Sequence, residues 1–195
     1  HDVVDWVTAA ENLGYHRVGV ADSPALYREV WVSIVHVALN TSRILFGPWV
    51  TNPVARHPVI TASAAASIHE IAPGRICIGV GSGNSGVYNL GHKATPVSRL
   101  KEYVLAVRSL LKHGEALYQG KPCRLSWSDK NVHIPIYVAA HAVKSLRLAG
   151  EIADGVIIGT GTSPEAVNGA LQALKEGADL AGRNVNDIDV WWSVP

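Results

Sequence analysis

The densest group of candidate functional residues ends a short apolar segment at 75–80. Glycine occupies positions 79, 81, 83 and 86 there, with serine and asparagine between them. Because glycine has no Cβ and adopts positive φ readily, such a segment lets the backbone approach a planar ring or a phosphate closely. We therefore predict a cofactor-binding strand end. Its predicted cofactor-binding residues are Gly81, Ser82, Gly83 and Asn84.

Three of these glycines also match the G-x-G-x-x-G pattern of dinucleotide-binding folds, namely Gly81, Gly83 and Gly86. In those folds the loop opens directly into a helix, and an acidic residue ends a strand about 20 residues later. Here Pro96 precedes the next expected helix, and Glu102 lies inside that helix. A dinucleotide site is therefore the weaker interpretation. A purely conformational use of the glycines in a turn is the other alternative.

Two later strand ends carry residues suited to an anion site. The segment 159–162 ends a strand and leads into a helix that Ser163 can cap. Free N–H groups at the start of a helix attract phosphate, and adjacent late strand ends commonly hold a phosphate in barrel enzymes. Plain helix capping is the alternative for Thr162 and Ser163. The predicted residues of this grip are Ala139, Ala140, His141, Gly159, Thr160, Gly161 and Thr162.

Polar residues also follow the early strands. The loop at 51–58 is polar and bounded by proline, and Asn52, next to Thr51, can hydrogen-bond the edge of a heterocycle. His57 either addresses an acidic group or ties down this loop. Asp22 directly follows the first strand. It is either a proton-transferring or orienting acid, or the N-cap of the following helix.

The sequence contains no H-E-x-x-H, no metal-spaced His/Cys set, no G-x-S-x-G and no Walker lysine. We therefore predict no metal site and no nucleophile of the hydrolase type. A cofactor that brings its own reactivity, positioned by the protein, explains the pattern better.

Strand-like and helical periodicities alternate along the chain. The expected strands are 17–21, 43–50, 75–80, 135–140, 155–158 and 188–194. The expected helices are 2–13, 26–39, 58–71, a helix after Pro96 that ends near His113, 143–153 and 164–181. The segment at about 114–133 breaks the pattern and reads as a small β-hairpin.

The alternation predicts a parallel α/β fold whose strands are buried on both faces. An open doubly wound sheet and a closed barrel both satisfy it. A (β/α)8 barrel needs eight strands in about 250 residues. The simplest account of the six expected strands is a TIM-type barrel that lacks its first strand and its last βα segment. Residues 1–195 are then expected to form one domain of a longer protein. A chain that starts at His1 and contains no methionine agrees with this expectation.

The composition of the chain limits which kinds of binding partner are expected. The net charge is +1 and the chain has no Lys/Arg run, so neither nucleic acid nor a membrane surface is expected. No segment has about 18 consecutive apolar residues. The two cysteines are far apart, and Cys77 lies in an apolar strand. These features predict a cytoplasmic protein with a small-molecule substrate.

Four segments in combination resemble the bacterial luciferase-like superfamily, and within it the methylenetetrahydromethanopterin-reductase-like branch. They are RILFGPWVTNPVARHP at 43–58, PGR at 73–75 running into IGVGSGNS at 78–85, LGHKATP at 90–96 and LAGEIADGV at 148–156. The resemblance covers essentially the whole chain. It implies a barrel that binds the deazaflavin coenzyme F420 or FMN at the carboxyl ends of its strands.

The resemblance also implies roles for individual residues. The ring is expected to lie over the strand that contains Gly47, in a stretch that often carries a cis peptide, for which Gly47–Pro48 is the candidate bond. Asp22 matches an acidic position near the reacting ring carbon. Two residues depart from the family: Asn84 stands where relatives often have a carboxylate, and His141 stands where a small residue is usual.

The leading functional hypothesis is hydride transfer between a deazaflavin or flavin and a small organic substrate, with Asp22, His57 or Asn84 handling any proton. The runner-up is a two-component FMN-dependent monooxygenase. A lyase or isomerase that grips a phosphorylated substrate is the alternative from another class. An incomplete barrel exposes strand edges. This chain by itself is therefore expected either to be inactive or to be stabilised as a homo-oligomer, in the simplest case a dimer.

Overall fold

A computed structural model describes residues 2–129 and 131–193. Helices and strands alternate as the sequence predicts. The helices are α1 (Asp2–Asn12), α2 (Val30–Asn40), α3 (Pro58–Ile71), α4 (Ser85–Tyr88), α5 (Val97–His113), α6 (Val143–Ile152) and α7 (Pro164–Leu180). The strands are β1 (Arg17–Val20), β2 (Leu45–Pro48), β3 (Ile78–Val80), β4 (Glu115–Tyr118), β5 (Lys121–Arg124), β6 (Ile136–Ala140), β7 (Gly155–Ile158) and β8 (Asp189–Trp192).

Six of the strands run parallel in the order β1-β2-β3-β6-β7-β8. β1 pairs with β2, and β3 pairs in turn with β6, β7 and β8. Parallel bridges from Phe46 to Ile76 and from Thr51 to Val80 join the two groups. β4 and β5 form an antiparallel hairpin within 114–133, as predicted.

The parallel strands curve far enough for the first and the last to meet across the interior. Arg17 in β1 lies with its guanidinium carbon 4.5 Å from the ring centre of Tyr137 in β6 and 4.7 Å from that of Trp191 in β8. Its Nη1 is 3.4 Å from Oδ2 of Asp189. Because β1 and β8 stand at opposite ends of the strand order, this contact requires a strongly curved sheet rather than a flat one.

The outer faces of the strands are covered by helices. Ile34, Ile68, Val107 and Leu174 are fully buried members of the resulting core. α6 and α7 pack closely because a Cβ added at Gly177 would overlap the carbonyl group of Arg147. The core therefore lies between the parallel strands and the helices, and it leaves the carboxyl strand ends open for a site.

α1 is fastened to the start of β2 by a single buried carboxylate. Oε1 of Glu11 accepts N–H groups from Ser42 at 3.0 Å, Arg43 at 2.8 Å and Ile44 at 2.9 Å. Hydrogen bonds from Arg43 and Ile44 hold the pKa of Glu11 at about 2, well below its usual range. The ionised form is therefore the one that stabilises the fold.

Three local predictions need correction. α2 begins at Val30 and not near residue 26, because the N–H groups of Leu26 and Tyr27 donate to the carbonyl of Ser23 and form a turn. A one-turn helix, α4, follows the glycine loop directly. The cis peptide joins Trp49 and Val50, two residues beyond the Gly47–Pro48 bond that the sequence suggested. The last residue of the expected strand 188–194 lies outside the described residues.

None of the helices in the described part of the chain is both long and apolar enough to cross a membrane.

Candidate active site at the strand ends

A cleft of about 360 Å³ opens at the carboxyl ends of β1, β2, β3 and β6. Eight of the predicted site residues line it: Asp22, Asn52, Gly81, Ser82, Gly83, Asn84, Ala139 and His141. It is also lined by residues that the sequence analysis did not select, namely Ala21, Ser23, Tyr27, Trp49, Val50, Ser85 and Gly86. A larger hollow of about 880 Å³ lies along α7 and the start of β8, away from these strand ends.

The floor of the cleft consists of apolar side chains that two glycines accommodate. Trp49 and Val50 pack against the interior cluster around Tyr137. A Cβ at Gly81 would lie 2.8 Å from Cγ2 of Val50, and one at Gly79 would lie 3.0 Å from Cε3 of Trp49. The room left by these glycines is thus filled by the protein's own side chains, which then form the surface on which a planar ring can lie.

The loop beyond β3 is held in shape by close contacts. Gly83 has φ of +105°, a conformation that side-chain-bearing residues rarely adopt. A Cβ at Gly86 would lie 2.5 Å from the carbonyl oxygen of Asp22, so this loop packs directly on the end of β1. Asn84 precedes α4, and its side chain makes no capping hydrogen bond. It is therefore available to the cleft.

The dinucleotide interpretation fails on its second requirement. The glycine loop does open into α4, but this helix has only four residues. The acidic residue that should end a strand, Glu102, lies in α5, and its Oε1 accepts the N–H of Gln119 at 2.6 Å. It cannot bind a ribose from there.

Asn52 presents an amide to the cleft in a fixed orientation. Its Oδ1 accepts N–H groups from Val54 at 3.1 Å and Ala55 at 2.8 Å, and the residue is only 2% exposed. Its Nδ2 has no acceptor among residues 2–129 and 131–193. Held this way, the amide N–H groups of Asn52 are directed to the cleft, and their predicted hydrogen bond to a heterocycle stays a prediction.

Thr51 and Gly47 contribute to the site indirectly. Thr51 is fully buried and pairs through its backbone, with its N–H donating to Gly79 and its carbonyl accepting from Gly81. Gly47 lies in β2, where a Cβ would overlap the carbonyl of Cys77. Neither lines the cleft. They position β2 and β3, whereas the prediction gave them direct cofactor contact.

Asp22 is engaged in a buried ion pair. Its side chain is 1% exposed, and both carboxylate oxygens accept from Arg56, at 2.7 Å from Nε and 2.8 Å from Nη2. Nη2 also reaches Glu29 at 2.5 Å. The hydrogen bond to Asp22 raises the pKa of Arg56. The N-cap alternative for Asp22 is wrong, because Glu29 caps α2.

His57 lies away from the cleft. It precedes α3, where its Nδ1 accepts the N–H of Val59 at 3.3 Å. Its ring packs edge-on against Tyr118, with ring centres 5.3 Å apart, and its Nε2 is 4.0 Å from Sγ of Cys123. These contacts favour the alternative in which His57 ties down the 51–58 loop.

His141 links the segment that follows β6 to the segment that follows β7. Its imidazole covers Gly159, where a Cβ would overlap the ring, and Nδ1 donates to the carbonyl of Gly159 at 3.0 Å. Trp192 donates through Nε1 to the carbonyl of Gly161 at 3.1 Å. Ser163 caps α7 by accepting the N–H of Ala166, as predicted. Among the predicted phosphate residues, Ala140, Gly159, Thr160, Gly161 and Thr162 do not line the cleft.

Sequence reasoning missed Ser23, Tyr27 and Trp49. Ser23 and Tyr27 belong to the turn that precedes α2, where a helix was expected from residue 26. This turn places both residues at the edge of the cleft. Trp49 appeared only as part of an apolar strand. The signal that could have found it is the set of glycines on neighbouring strands, since Gly19 and Gly79 both lack a Cβ where the indole lies.

Residues 1–195 match the luciferase-like monooxygenase family. A 5,10-methylenetetrahydromethanopterin reductase of Methanolobus tindarius is 32% identical over 193 residues, which are 96% of this chain and 59% of the relative. An F420-dependent glucose-6-phosphate dehydrogenase of Nakamurella multipartita is 31% identical over 208 residues, covering 96% of this chain and 61% of the relative.

Solved structures agree with the family. The coenzyme F420-dependent tetrahydromethanopterin reductase from Methanopyrus kandleri superimposes with a TM-score of 0.84 at 27% identity, covering 99% of this chain and 61% of that chain. An F420-dependent secondary alcohol dehydrogenase gives a TM-score of 0.83 at 23% identity, covering 98% of this chain and 63% of that chain, and at this identity only the fold is compared. The predicted parallel α/β fold class is confirmed.

This chain spans about three fifths of the length of these relatives. The family match extends over residues 1–195, and the relatives include the reductases that the sequence motifs pointed to. The chain therefore belongs to the luciferase-like monooxygenase family.

Proposed function

We propose that the protein is an oxidoreductase that transfers a hydride between coenzyme F420 and a small organic substrate at the cleft. FMN is the alternative cofactor with a similar ring and phosphate. The support from relatives is that an enzyme 31% identical and a solved structure 27% identical are both described as F420-dependent.

The observation that carries this proposal is the fixed amide of Asn52 above an apolar floor. Trp49 and Val50 offer a surface for a planar ring, and Asn52 offers donors to the ring edge. The cleft volume of about 360 Å³ falls within the usual 300–1,000 Å³ of cofactor and substrate pockets. The residues present therefore fit a flavin-type ring, which supplies the hydride chemistry when bound.

The remaining residues have supporting roles in this proposal. The backbone of Gly81, Ser82 and Gly83 limits the ring edge, and Asn84 faces the substrate side. Asp22 acts as an orienting acid through Arg56 rather than as a free base, because both of its oxygens already accept hydrogen bonds. His57 is proposed to hold the loop that carries Asn52.

Fluorescence titration of the full-length protein with F420 and with FMN tests the proposal. We expect saturable binding of F420 that weakens at least tenfold in Asn52→Leu, because a buried donor and its bond are lost. His92→Gln, in the loop outside the cleft, is the control and should bind normally. Absence of binding by either cofactor would overturn the proposal.

A second candidate is an FMN-dependent monooxygenase, which the description of the matching family favours. The distinguishing measurement is product formation with and without oxygen. Turnover that requires oxygen, together with binding of FMN and not F420, would replace hydride transfer by oxygenation.

We also propose that residues 1–195 belong to one domain that works as a cytoplasmic homodimer. Exposed apolar side chains on the adjacent helices α2 and α3, among them Val32, Leu39 and Ile60, support the dimer. Both cysteines are free, which agrees with a reducing compartment. Light scattering coupled to size exclusion should give twice the monomer mass, and Leu39→Lys should reduce it. Limited proteolysis tests the single domain.

A further inference from the structure

We propose that Asp189 is a positioning residue for cofactor binding. It fixes the indole of Trp49, on which the cofactor ring is proposed to lie, through three side chains that support this indole from the interior of the sheet. The inference rests on the proposed function and adds to it a residue outside the cleft. Asp189 lies at the start of β8 and is not among the residues that line the cleft.

One carboxylate oxygen of Asp189 accepts three hydrogen bonds. Its Oδ2 lies 2.7 Å from the hydroxyl of Tyr137 and 2.8 Å from Nε1 of Trp191. Nη1 of Arg17 approaches the same oxygen at 3.4 Å. Burial raises the pKa of Tyr137, so its hydroxyl keeps its proton and remains a donor. A guanidinium and an indole N–H can only donate. All three groups therefore need an acceptor, and Asp189 supplies it.

Trp49 contacts the same three side chains. Its ring centre is 5.4 Å from that of Tyr137 and 6.2 Å from that of Trp191, in a tilted and an edge-on arrangement. The guanidinium carbon of Arg17 lies 5.9 Å from the centre of the indole. Tilted and edge-on contacts at these separations are favourable for aromatic rings. The indole is therefore supported by three groups that share one acceptor.

Glycines on neighbouring strands make room for this arrangement. Tyr137 in β6, Gly155 in β7 and Asp189 in β8 lie side by side in register. A Cβ at Gly155 would lie 2.1 Å from Cε1 of Tyr137, so the phenol ring crosses β7 at this glycine and reaches β8. A Cβ at Gly19 would lie 2.3 Å from Cβ of Trp49. Both aromatic side chains thus lie over backbone without side chains, and the hydrogen bond to Asp189 fixes the far end of Tyr137.

Loss of the shared acceptor should disturb the indole. The phenol of Tyr137 and the guanidinium of Arg17 are both largely buried and would have to turn toward other partners or water. Such a change removes the support of Trp49 for part of the time. When the competent arrangement is only partly populated, the apparent dissociation constant rises by the inverse of that fraction. A fraction of about one fifth weakens binding about fivefold.

The experiment measures the F420 affinity of the full-length protein by fluorescence titration. Asp189→Leu removes the acceptor and should bind about fivefold more weakly. Asp189→Asn retains an acceptor oxygen and should stay within about twofold of the wild type, because the ion pair with Arg17 is long and half exposed. Asp187→Leu, exposed in the turn before β8, is the matched control and should bind as the wild type does.

Substitution of Trp49 shows whether Asp189 acts through it. In the Trp49→Ala protein, Asp189→Leu should weaken binding by less than about twofold more, since no indole is left to be fixed. Tyr137→Phe keeps the ring and removes one hydrogen bond, so it tests the same support with a milder change. It should weaken binding in the same direction by a smaller factor.

A measurement on the free protein tests the support without cofactor. Near-ultraviolet circular dichroism reports on aromatic side chains that are held in fixed packing. The spectrum should change in Asp189→Leu and stay unchanged in Asp187→Leu. An unchanged spectrum in both variants would contradict a role of Asp189 in fixing these rings.

Three titration results would overturn the proposal. The first is equal affinity of Asp189→Leu and Asp187→Leu. The second is a loss in Asp189→Leu that persists unchanged in the Trp49→Ala protein. The third is an equal loss in Asp189→Asn and Asp189→Leu, because the charge rather than the acceptor would then matter. In all three cases the wild type still binds F420 and the proposed function stands. If neither F420 nor FMN binds the wild type, the proposed function fails and this inference fails with it.

Discussion

Replacing Arg56 by methionine tests whether Asp22 is an anchored structural carboxylate. Methionine keeps much of the length of the arginine but none of its donors. Asp22 is 1% exposed on its side chain and would be left without a partner for either oxygen. Breaking one half of a buried ion pair costs about 3–5 kcal/mol. The bond from Arg56 to the largely exposed Glu29 adds only about 0–1 kcal/mol.

The assay is urea unfolding of the full-length protein and its variants. With a slope of about 2 kcal/mol per molar urea, a loss of about 3 kcal/mol lowers the midpoint by about 1.5 M. The double variant Asp22→Asn/Arg56→Met should recover much of this loss, because no unpaired charge remains buried. Glu29→Gln is the matched control and should shift the midpoint by less than about 0.5 M.

Two results would refute the reasoning. One is an Arg56→Met midpoint no lower than that of Glu29→Gln. The other is a double variant that is as unstable as the sum of its single changes, since this would mean that Asp22 and Arg56 do not depend on one another.

Three further predictions concern α7, the α1 anchor and the cleft floor. Gly177→Ala should destabilise the protein by at least about 1–3 kcal/mol, because the added Cβ would meet the backbone of α6. Gly169→Ala, in the same helix, meets nothing and should stabilise the protein by about 0.5–1 kcal/mol. Thermal unfolding measures both variants, and equal effects would contradict the packing argument. Glu11→Gln should unfold at lower temperature at neutral pH. The pKa of Glu11 in the folded protein is lowered to about 2, whereas its pKa in the unfolded chain is about 4.3. The stability that Glu11 adds is therefore present above about pH 4.3 and is lost as pH falls through about 2. A stability difference between wild type and Glu11→Gln that persists undiminished at about pH 2 would contradict the charge argument. Trp49→Ala should weaken F420 binding about tenfold or more, because the ring loses the aromatic surface on which it is proposed to lie. Unchanged affinity in the fluorescence titration would remove Trp49 from the ring surface.

The strands and most helices were predictable because their determinants are local. Parallel strands buried on both faces appear as short apolar runs, and proline or glycine marks where helices begin and end. α3 has the predicted bounds for this reason, from a proline at its first position to the residue before Ala72. α2 was misplaced at its start, because the N–H groups of Leu26 and Tyr27 donate to Ser23 and form a turn that periodicity does not reveal.

The sequence by itself also predicted where the candidate site lies. In a parallel α/β fold the functional groups gather at the carboxyl strand ends, so the glycine loop, Asn52 and His141 could be assigned to one mouth from their positions alone. The family motifs favoured a flavin-type cofactor.

Only the tertiary structure decided which contacts each of these residues makes. Asp22 and Arg56 are 34 residues apart, and His141 and Gly159 are 18 apart, so neither contact follows from spacing along the chain. The interior glycines looked like room for a ligand, but the folded chain fills that room with Trp49 and Val50. Hydrogen bonding and close packing depend on which strands curve to face one another, and that arrangement pairs Asp22 with Arg56 and brings His141 against Gly159.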